Sequence, residues 1–370
     1  MKAFLRKGSV SILLLSLSCV VVGYNQKKEQ TEVTETIKKS FPVSPGGSLT
    51  VKSSIGTVEV QAVDTNNVNI ELARQIKAAN AQEFEQIIRD LQLDFVHKGS
   101  DVEVIVKLPE EWGWEKIKRI RLDMKITIPL AYNVKVRTVG IIRTNDLQGI
   151  VQLASSGFSL TTGNVRGSVD LSSSGGQIEA GDVNGPATVS SDGGPIRIGN
   201  IDGDFNVRSS GGSINAGRVD GSVTAHSAGG YIRIKEVTNA VKAITQGGYV
   251  STYISRQPQS DSSFVTLGGS VNLRLAENVK LTLEADVGTG SVHSDFPLPE
   301  REESSSIVNG DINGGGPKMI VRTAAGSLTL RKWDPANPEP ERRPSTRHVC
   351  GSRSHSSEAE IRRHHNEPCA

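Results

Sequence analysis

The side chains best suited to chemistry fall into three groups. The first is C-terminal: His348, His355, His364 and His365 share a polar segment with Cys350 and Cys369. Imidazole and thiolate together suit Zn²⁺, but the spacing matches no zinc finger, so this set reads as an adventitious metal binder in a tail. The second group is Asp146, Asp182, Asp202 and Asp220, each close to a glycine. The third is a row of hydroxyls, Ser155, Ser173, Ser191, Ser209, Ser227 and Thr245, spaced every eighteen residues.

Neither repeating group builds a reactive site on inspection of its neighbours. Calcium-binding nonapeptide repeats also give eighteen residues per coil, and they need an aspartate at the sixth position of each half. Here that position reads Thr144, Thr162, Ala180, Ile198, Ala216 and Ile234. A largely apolar column cannot ligate a hard cation, so the aspartates are turn residues. No base recurs beside the hydroxyls, so none is activated as a nucleophile. Their expected role is hydrogen bonding along the repeat or to turn amides. The sequence therefore predicts no catalytic residue, no metal site and no cofactor.

One column is a candidate for binding. The fifth position of each unit reads Arg143, Thr161, Glu179, Arg197, Asn215 and Arg233. This is the mixed composition of a solvated face. Within it, Arg197 and Arg233 stand two units apart with Asn215 between them, and these three are the candidate surface contacts for an anionic glycan. Glycan-cleaving β-helices need carboxylates or bases gathered on one face, which this column does not supply. Aromatic residues make up 4% and are scattered along the chain, and the net charge is +2. No nucleic-acid partner is expected from such a surface.

The elements that position these columns follow from an internal repeat. Gly-Gly pairs begin at Gly175, Gly193, Gly211, Gly229 and Gly247, and the same phase extends back through Gly157 to Val139. Six ungapped units run from Val139 to Gln246. Their fourth position is Ile142, Leu160, Ile178, Ile196, Ile214 and Ile232, and the ninth, thirteenth and fifteenth are also apolar. The eleventh is Gly149, Gly167, Gly185, Gly203 and Gly221, then Asn239, a residue that tolerates positive φ. Within a unit the apolar residues alternate, which is strand periodicity. One unit cannot bury them alone, but stacked units can. The expected fold is all-β: a single-stranded parallel β-solenoid of eighteen-residue coils, with glycines at the corners and like residues above like.

The flanks differ. Lys2, Arg6 and Lys7 precede an apolar run from Val10 to Val22 that is too short to span a membrane, so residues 1–23 read as an export signal. "SLSC" resembles a bacterial lipobox with Cys19 as the acylated residue, although Ser16 and the apolar residues after Cys19 depart from that pattern. Ordinary cleavage near Gly23 is the alternative. Residues 24–40 are expected to be a linker. Residues 41–131 are expected to form an irregular cap with one helix, since Phe84, Ile87, Ile88 and Leu91 have helical spacing. The solenoid would occupy 132–332. In 333–370 proline, charge and serine dominate, and disorder is expected there.

The copies "SSSGGQIEAGDVNG" and "RSSGGSINAGRVDG", with the closing "RTAAGSLTLRK", resemble the bacterial DUF4097 family, whose members carry an adhesin label. The resemblance covers roughly Asn133 to Lys332 and implies a β-solenoid of exported or envelope-associated proteins, with no catalytic motif to transfer. The expected function is a non-enzymatic envelope protein, located in the periplasm, outer envelope or cell surface. It would bind a cell-surface protein or polysaccharide and meet the membrane only through a lipid anchor. The rivals are a carbohydrate-active β-helix enzyme and a polymerising or stress-sensing envelope module.

Overall fold

In the computed structural model, residues 23–27, 30–298 and 306–333 are described. The signal segment with Cys19, and the tail from residue 334 with its histidines and cysteines, lie outside the described residues.

The repeat folds as its phase dictates. Strands stack in parallel with an eighteen-residue offset, so that Ile178 pairs with Ile196 and Ile196 with Ile214. Each coil has two principal strands. One, such as Ile196–Ile198, joins a fifteen-stranded sheet, and the other, such as Phe205–Ser209, joins a fourteen-stranded sheet. A third side is narrower. It is built from Leu147–Gln148 beside Val165–Arg166 and then single bridges through Val183, Ile201 and Val219. The fourth, ninth, thirteenth and fifteenth columns turn inward from all sides. Ile196, Ile201, Phe205 and Val207 of one coil are each at most 1% exposed. Every inward residue therefore rests on its counterparts in the coils above and below.

The glycine pairs at the corner are not equivalent. A Cβ on Gly212 would lie 2.1 Å from the carbonyl oxygen of Gly194 one coil below, whereas on Gly211 the nearest atom would be 3.6 Å away. The second glycine of the pair thus permits coils to stack at strand spacing of ~4.8 Å, and the first does not limit it. The eleventh column follows the same logic, with Gly203 also at φ +155°. Asn239, expected at positive φ because it ends this column, does not adopt it; among the described residues Asn313 is the sole non-glycine that does, at φ 54°. Asn239 instead accepts a hydrogen bond from the Gln259 backbone N–H at 2.9 Å.

The hydroxyl column is buried. Ser155, Ser173, Ser191, Ser209 and Ser227 are each at most 4% exposed. Ser173 Oγ donates to the Phe158 carbonyl at 3.0 Å and accepts from the Gly176 N–H at 3.0 Å, and Ser227 repeats this with Gly212 and Gly230. Thr266 and Thr323 do the same beyond the perfect repeat. Ser173, Ser227, Thr245, Thr266 and Thr323 thus fasten their glycine corners to their own coil and to the one below, Ser155 and Ser191 each donate to a single corner carbonyl, and the buried Ser209 Oγ has no hydrogen-bond partner.

The two ends share a device that the repeat does not reveal. At the N-terminal end, the coil Ser48–Ser53 and Thr57–Val63 lies between two later ones. Its neighbours are the coil made by Asp101–Lys107 and Ile120–Pro129, and the coil that begins at Asn133–Thr138. At the other end, the last coil, Lys318–Thr323 and Leu328–Lys332, slides between Ser262–Thr266 with Val271–Leu275 and Leu281–Asp286 with Val292–Ser294. Antiparallel strands then cover the outermost rungs: Gln92–Lys98 and Asn67–Ala78 at one end, Ile307–Ile312 at the other. Such coverings satisfy backbone groups that an open solenoid end would expose.

The expected helix forms at Ala81–Asp90. Asn80 caps it by accepting from the Glu83 N–H at 2.9 Å, and Glu83 returns the favour by accepting from the Ala79 N–H at 2.6 Å. A second, four-residue helix at Trp114–Ile117 was not signalled by any periodicity. Residues 24–40, expected as a linker, depart from that expectation. Gln30–Pro42 is a strand that pairs antiparallel with Asn67–Ala78 from Thr31 to its end. Its charge disguises the alternation, because the inward Glu35 is matched to Arg74 at 2.6 Å, with Arg74 itself 8% exposed. Parallel coils also begin within 41–131, a region read as irregular cap.

Candidate binding face

Strand alternation sends the fifth column outward onto the face of the fifteen-stranded sheet, and stacking aligns it across the described coils. The register makes one continuous row: Lys38, Glu71, Lys125, Glu59, Arg143, Thr161, Glu179, Arg197, Asn215, Arg233, Ser251, Asn272, Thr329 and His293. The three residues picked from sequence, Arg197, Asn215 and Arg233, stand side by side in it.

The row changes character at its middle. From Lys38 to Arg143 the charge alternates in sign at every step. Opposite charges directly across adjacent strands favour this register over a slipped one. Lys38 pairs with Glu71 at 3.5 Å, and Glu179 closes the alternating half by meeting Arg197 at 3.6 Å. Arg197 is thus already engaged with a carboxylate. A recess of about 570 Å³ lies on this half, lined by Lys38, Ser40, Glu59, Asn69, Glu71 and Lys125 among others. Glu59 there also accepts from Gln61 at 2.7 Å.

From Asn215 onward the row contains no carboxylate. The next outward positions on the same face are Tyr253, Arg274 and Arg331, also in register. Arg274 and Arg331 are cross-strand neighbours of like charge. On the other side of the row, four residues back along the strand from Tyr253, Tyr231 stacks on Tyr249, ring centroids 4.9 Å apart and 5° from parallel. Trp333 stacks on Tyr253 at 4.8 Å and 11°. Burial under that indole raises the Tyr253 hydroxyl above the usual phenol range, with the negative charge of Glu236 adding to it. Tyr249 and Trp333 each remain 37% exposed.

Sequence reasoning treated the aromatics as scattered, and in space they are gathered. Three of the five tyrosines and one of the three tryptophans of the chain lie in this one region. The signal was present at positions Tyr231 and Tyr249, eighteen residues apart. Trp333 could not be linked to Tyr253 without knowing that the last coil is displaced by one rung. The other chemistry-bearing groups fall elsewhere. Asp146 and Asp182 alternate with Asn164 and Asn200 on the narrow side, each accepting a backbone N–H from the next coil at 2.7–2.9 Å. Asp202 accepts from the Asn184 amide, and Asp220 from the Thr238 hydroxyl. Among the described residues no three His, Cys, Asp or Glu side chains converge on a point where a metal would sit.

No protein-family profile matches the sequence, and no curated protein matches it. Solved structures to which the chain is similar include a "putative adhesin" from Bacteroides fragilis NCTC 9343, with 11% identity over 80% of this chain and 96% of that one, at a TM-score of 0.36. A second "putative adhesin", from Parabacteroides merdae ATCC 43184, has 10% identity over 81% and 96%, at 0.31. A "putative lipid binding protein" from Parabacteroides distasonis ATCC 8503 has 8% identity over 80% and 97%, at 0.26.

Proposed function

We propose that the chain is an exported, non-enzymatic binding module of the cell envelope, and that it presents the face of its fifteen-stranded sheet to a surface partner. An export signal over residues 1–23, with either acylation at Cys19 or cleavage near Gly23, would deliver it. The observation that carries the reading is the continuous outward row from Lys38 to His293, held in register by the stacked core beneath it. A flat face with a repeat of ~4.8 Å suits many weak contacts to an extended partner, which add through effective concentration without a deep pocket.

The test is incubation of the purified chain with a panel of polysaccharides and with whole-cell envelope fractions. Retention of a polymer or an envelope component, with no new reducing ends, supports the reading. Release of shortened products would overturn it in favour of a carbohydrate-active enzyme. Mass spectrometry of the mature N-terminus tests export: a chain that retains Met1 in the cell would contradict it.

A further inference from the structure

We infer that one corner of the solenoid, at its N-terminal end, docks on a lipid bilayer. The inference rests on the export reading and gives the exported chain a membrane contact besides any anchor at Cys19. The corner is the one at which each coil passes from the fourteen-stranded to the fifteen-stranded sheet. From Gly175 to Gly248 it folds with glycine pairs, because a Cβ on the second glycine would strike the coil beneath. That second-glycine column begins with Gly56 and Gly140 and continues from Gly176 to Gly326, and Phe158 is its exception. Phe158 is 46% exposed. It stands where the coil beneath turns in three residues, 139–141, and not in the four of 156–159. Val139, on that shortened turn, is 45% exposed. In the outermost parallel coil the same corner is the loop 108–119, which holds Trp114 on its short helix at 71% exposed. Trp114, Val139 and Phe158 therefore form an apolar ridge along the corner of the first four coils.

The occupant follows from where the chain enters the fold. The first described strand, Gly23–Lys27, is the outermost of the fifteen-stranded sheet at this same end. The register runs from Gly23 through Thr34 and Gln75 to Arg121. Gly23 is thus three strand spacings, ~14 Å, from the strand that follows the Trp114 loop. In the sequence it directly follows the apolar run Val10–Val22, with Cys19 four residues upstream. A bilayer that receives an acyl chain at Cys19 lies within reach of the ridge. Indole and phenyl side chains suit the headgroup boundary of such a bilayer. Trp114 and Phe158 are also free to insert: neither makes a ring contact among the described residues, whereas Tyr249 and Trp333 are each stacked on another ring. The ridge ends at Phe158, and residues 159–248 expose no large apolar side chain. Charge contributes little. Lys107 and Arg137 flank the ridge without an ion pair among the described residues, but Glu110 and Glu111 in the loop offset them. The attraction is apolar, and it should not require anionic lipid.

The experiment mixes the mature full chain with phosphatidylcholine vesicles whose acyl chains do or do not carry bromine. The chain should bind the vesicles, and the bromine should quench its tryptophan fluorescence. Trp114→Phe should abolish most of that quenching, and Trp333→Phe should keep it. Phe158→Ser should weaken the quenching about twofold or more. High salt should leave both binding and quenching in place. Circular dichroism checks that each variant is folded. Absence of vesicle binding would overturn the docking surface, as would binding without quenching, which is tethering by an anchor alone. Quenching that survives Trp114→Phe would overturn the assigned ridge. A requirement for phosphatidylglycerol, with release by salt, would overturn the apolar contact. Shielding of Trp114 from acrylamide by an envelope protein in the absence of lipid would assign the ridge to a protein instead. None of these failures bears on polymer retention by the fifteen-stranded face or on the mature N-terminus, so they are told apart from failure of the exported-module reading.

Discussion

The two halves of the fifteen-stranded sheet share a backbone and a core but not a surface. Inward, Val58 and Ile142 in one half are replaced by Ile232 and Val250 in the other, a change of hydrocarbon for hydrocarbon. Outward, the first half neutralises itself step by step, whereas the second sets arginine beside arginine and gathers the tyrosines. The core therefore does not dictate the surface. A coil needs small glycine corners, inward aliphatics and hydroxyl fasteners, and it leaves the outward positions unconstrained. What stands there needs an explanation beyond folding.

That comparison can be broken most severely from within. Ile196→Asp places a carboxylate in a fully buried column and should cost about 4 kcal/mol or more, whereas Arg197→Ala, one residue along and outward, should cost less than about 1 kcal/mol. Chemical denaturation of both variants measures the contrast; similar midpoints would show that the inward and outward assignments are wrong. Next in size is the corner. Gly212→Ala forces a methyl group against the Gly194 carbonyl and should destabilise by about 2 kcal/mol. Gly211→Ala, whose added carbon would meet its nearest atom at an ordinary contact distance of 3.6 Å, should be nearly neutral. Thermal melts of the pair would reveal whether stacking distance sets the requirement.

The surface contrast is sharpened by charge reversal. Lys125→Glu would line up three carboxylates with Glu71 and Glu59 and should destabilise by about 1 kcal/mol. Arg331→Glu removes a like-charge pair from the other half and should be neutral or slightly stabilising. If both variants move stability in the same direction, the two halves do not differ electrostatically. The smallest effect concerns the capped helix. The Arg119 guanidinium, and then the Ala79 N–H, hold the Glu83 carboxyl below its usual range. A depressed folded-state value means that the contribution is fully present above the ordinary carboxylate range. It is lost as pH falls through the folded value. Glu83→Gln should therefore lower stability at neutral pH, and the difference from the parent should shrink on acidification; a gap that widens in acid would contradict the assignment.

Much of this was legible in the sequence. The phase of Ile178, Ile196 and Ile214 dictates vertical stacking, because a unit of eighteen residues has no other way to bury them. The hydroxyl column was legible as structural, since no base accompanied it. The ends were not legible: intercalation of the coils 48–63 and 318–332 is a choice among equivalent strand edges, and local alternation says nothing about which edge a strand joins. Gln30–Pro42 was hidden because an ion pair, Glu35 with Arg74, occupies inward positions where a hydrophobic pattern was sought. The candidate face was half visible. Arg197, Asn215 and Arg233 were found by their shared phase, but Arg274, Arg331 and Trp333 lie beyond insertions that break it.

Cysteine cross-linking tests the registered row most directly, in a background with the native cysteines replaced by serine. Asn272 and Thr329 are adjacent rungs, within the Cα separation that a disulfide spans, while Asn272 and His293 are two rungs apart at ~9.6 Å, beyond it. Asn272→Cys with Thr329→Cys should oxidise readily to a disulfide that maps to those residues, and Asn272→Cys with His293→Cys should stay reduced. Ready linkage of the second pair and not the first would mean that the coils stack in chain order, and the row would be wrongly drawn.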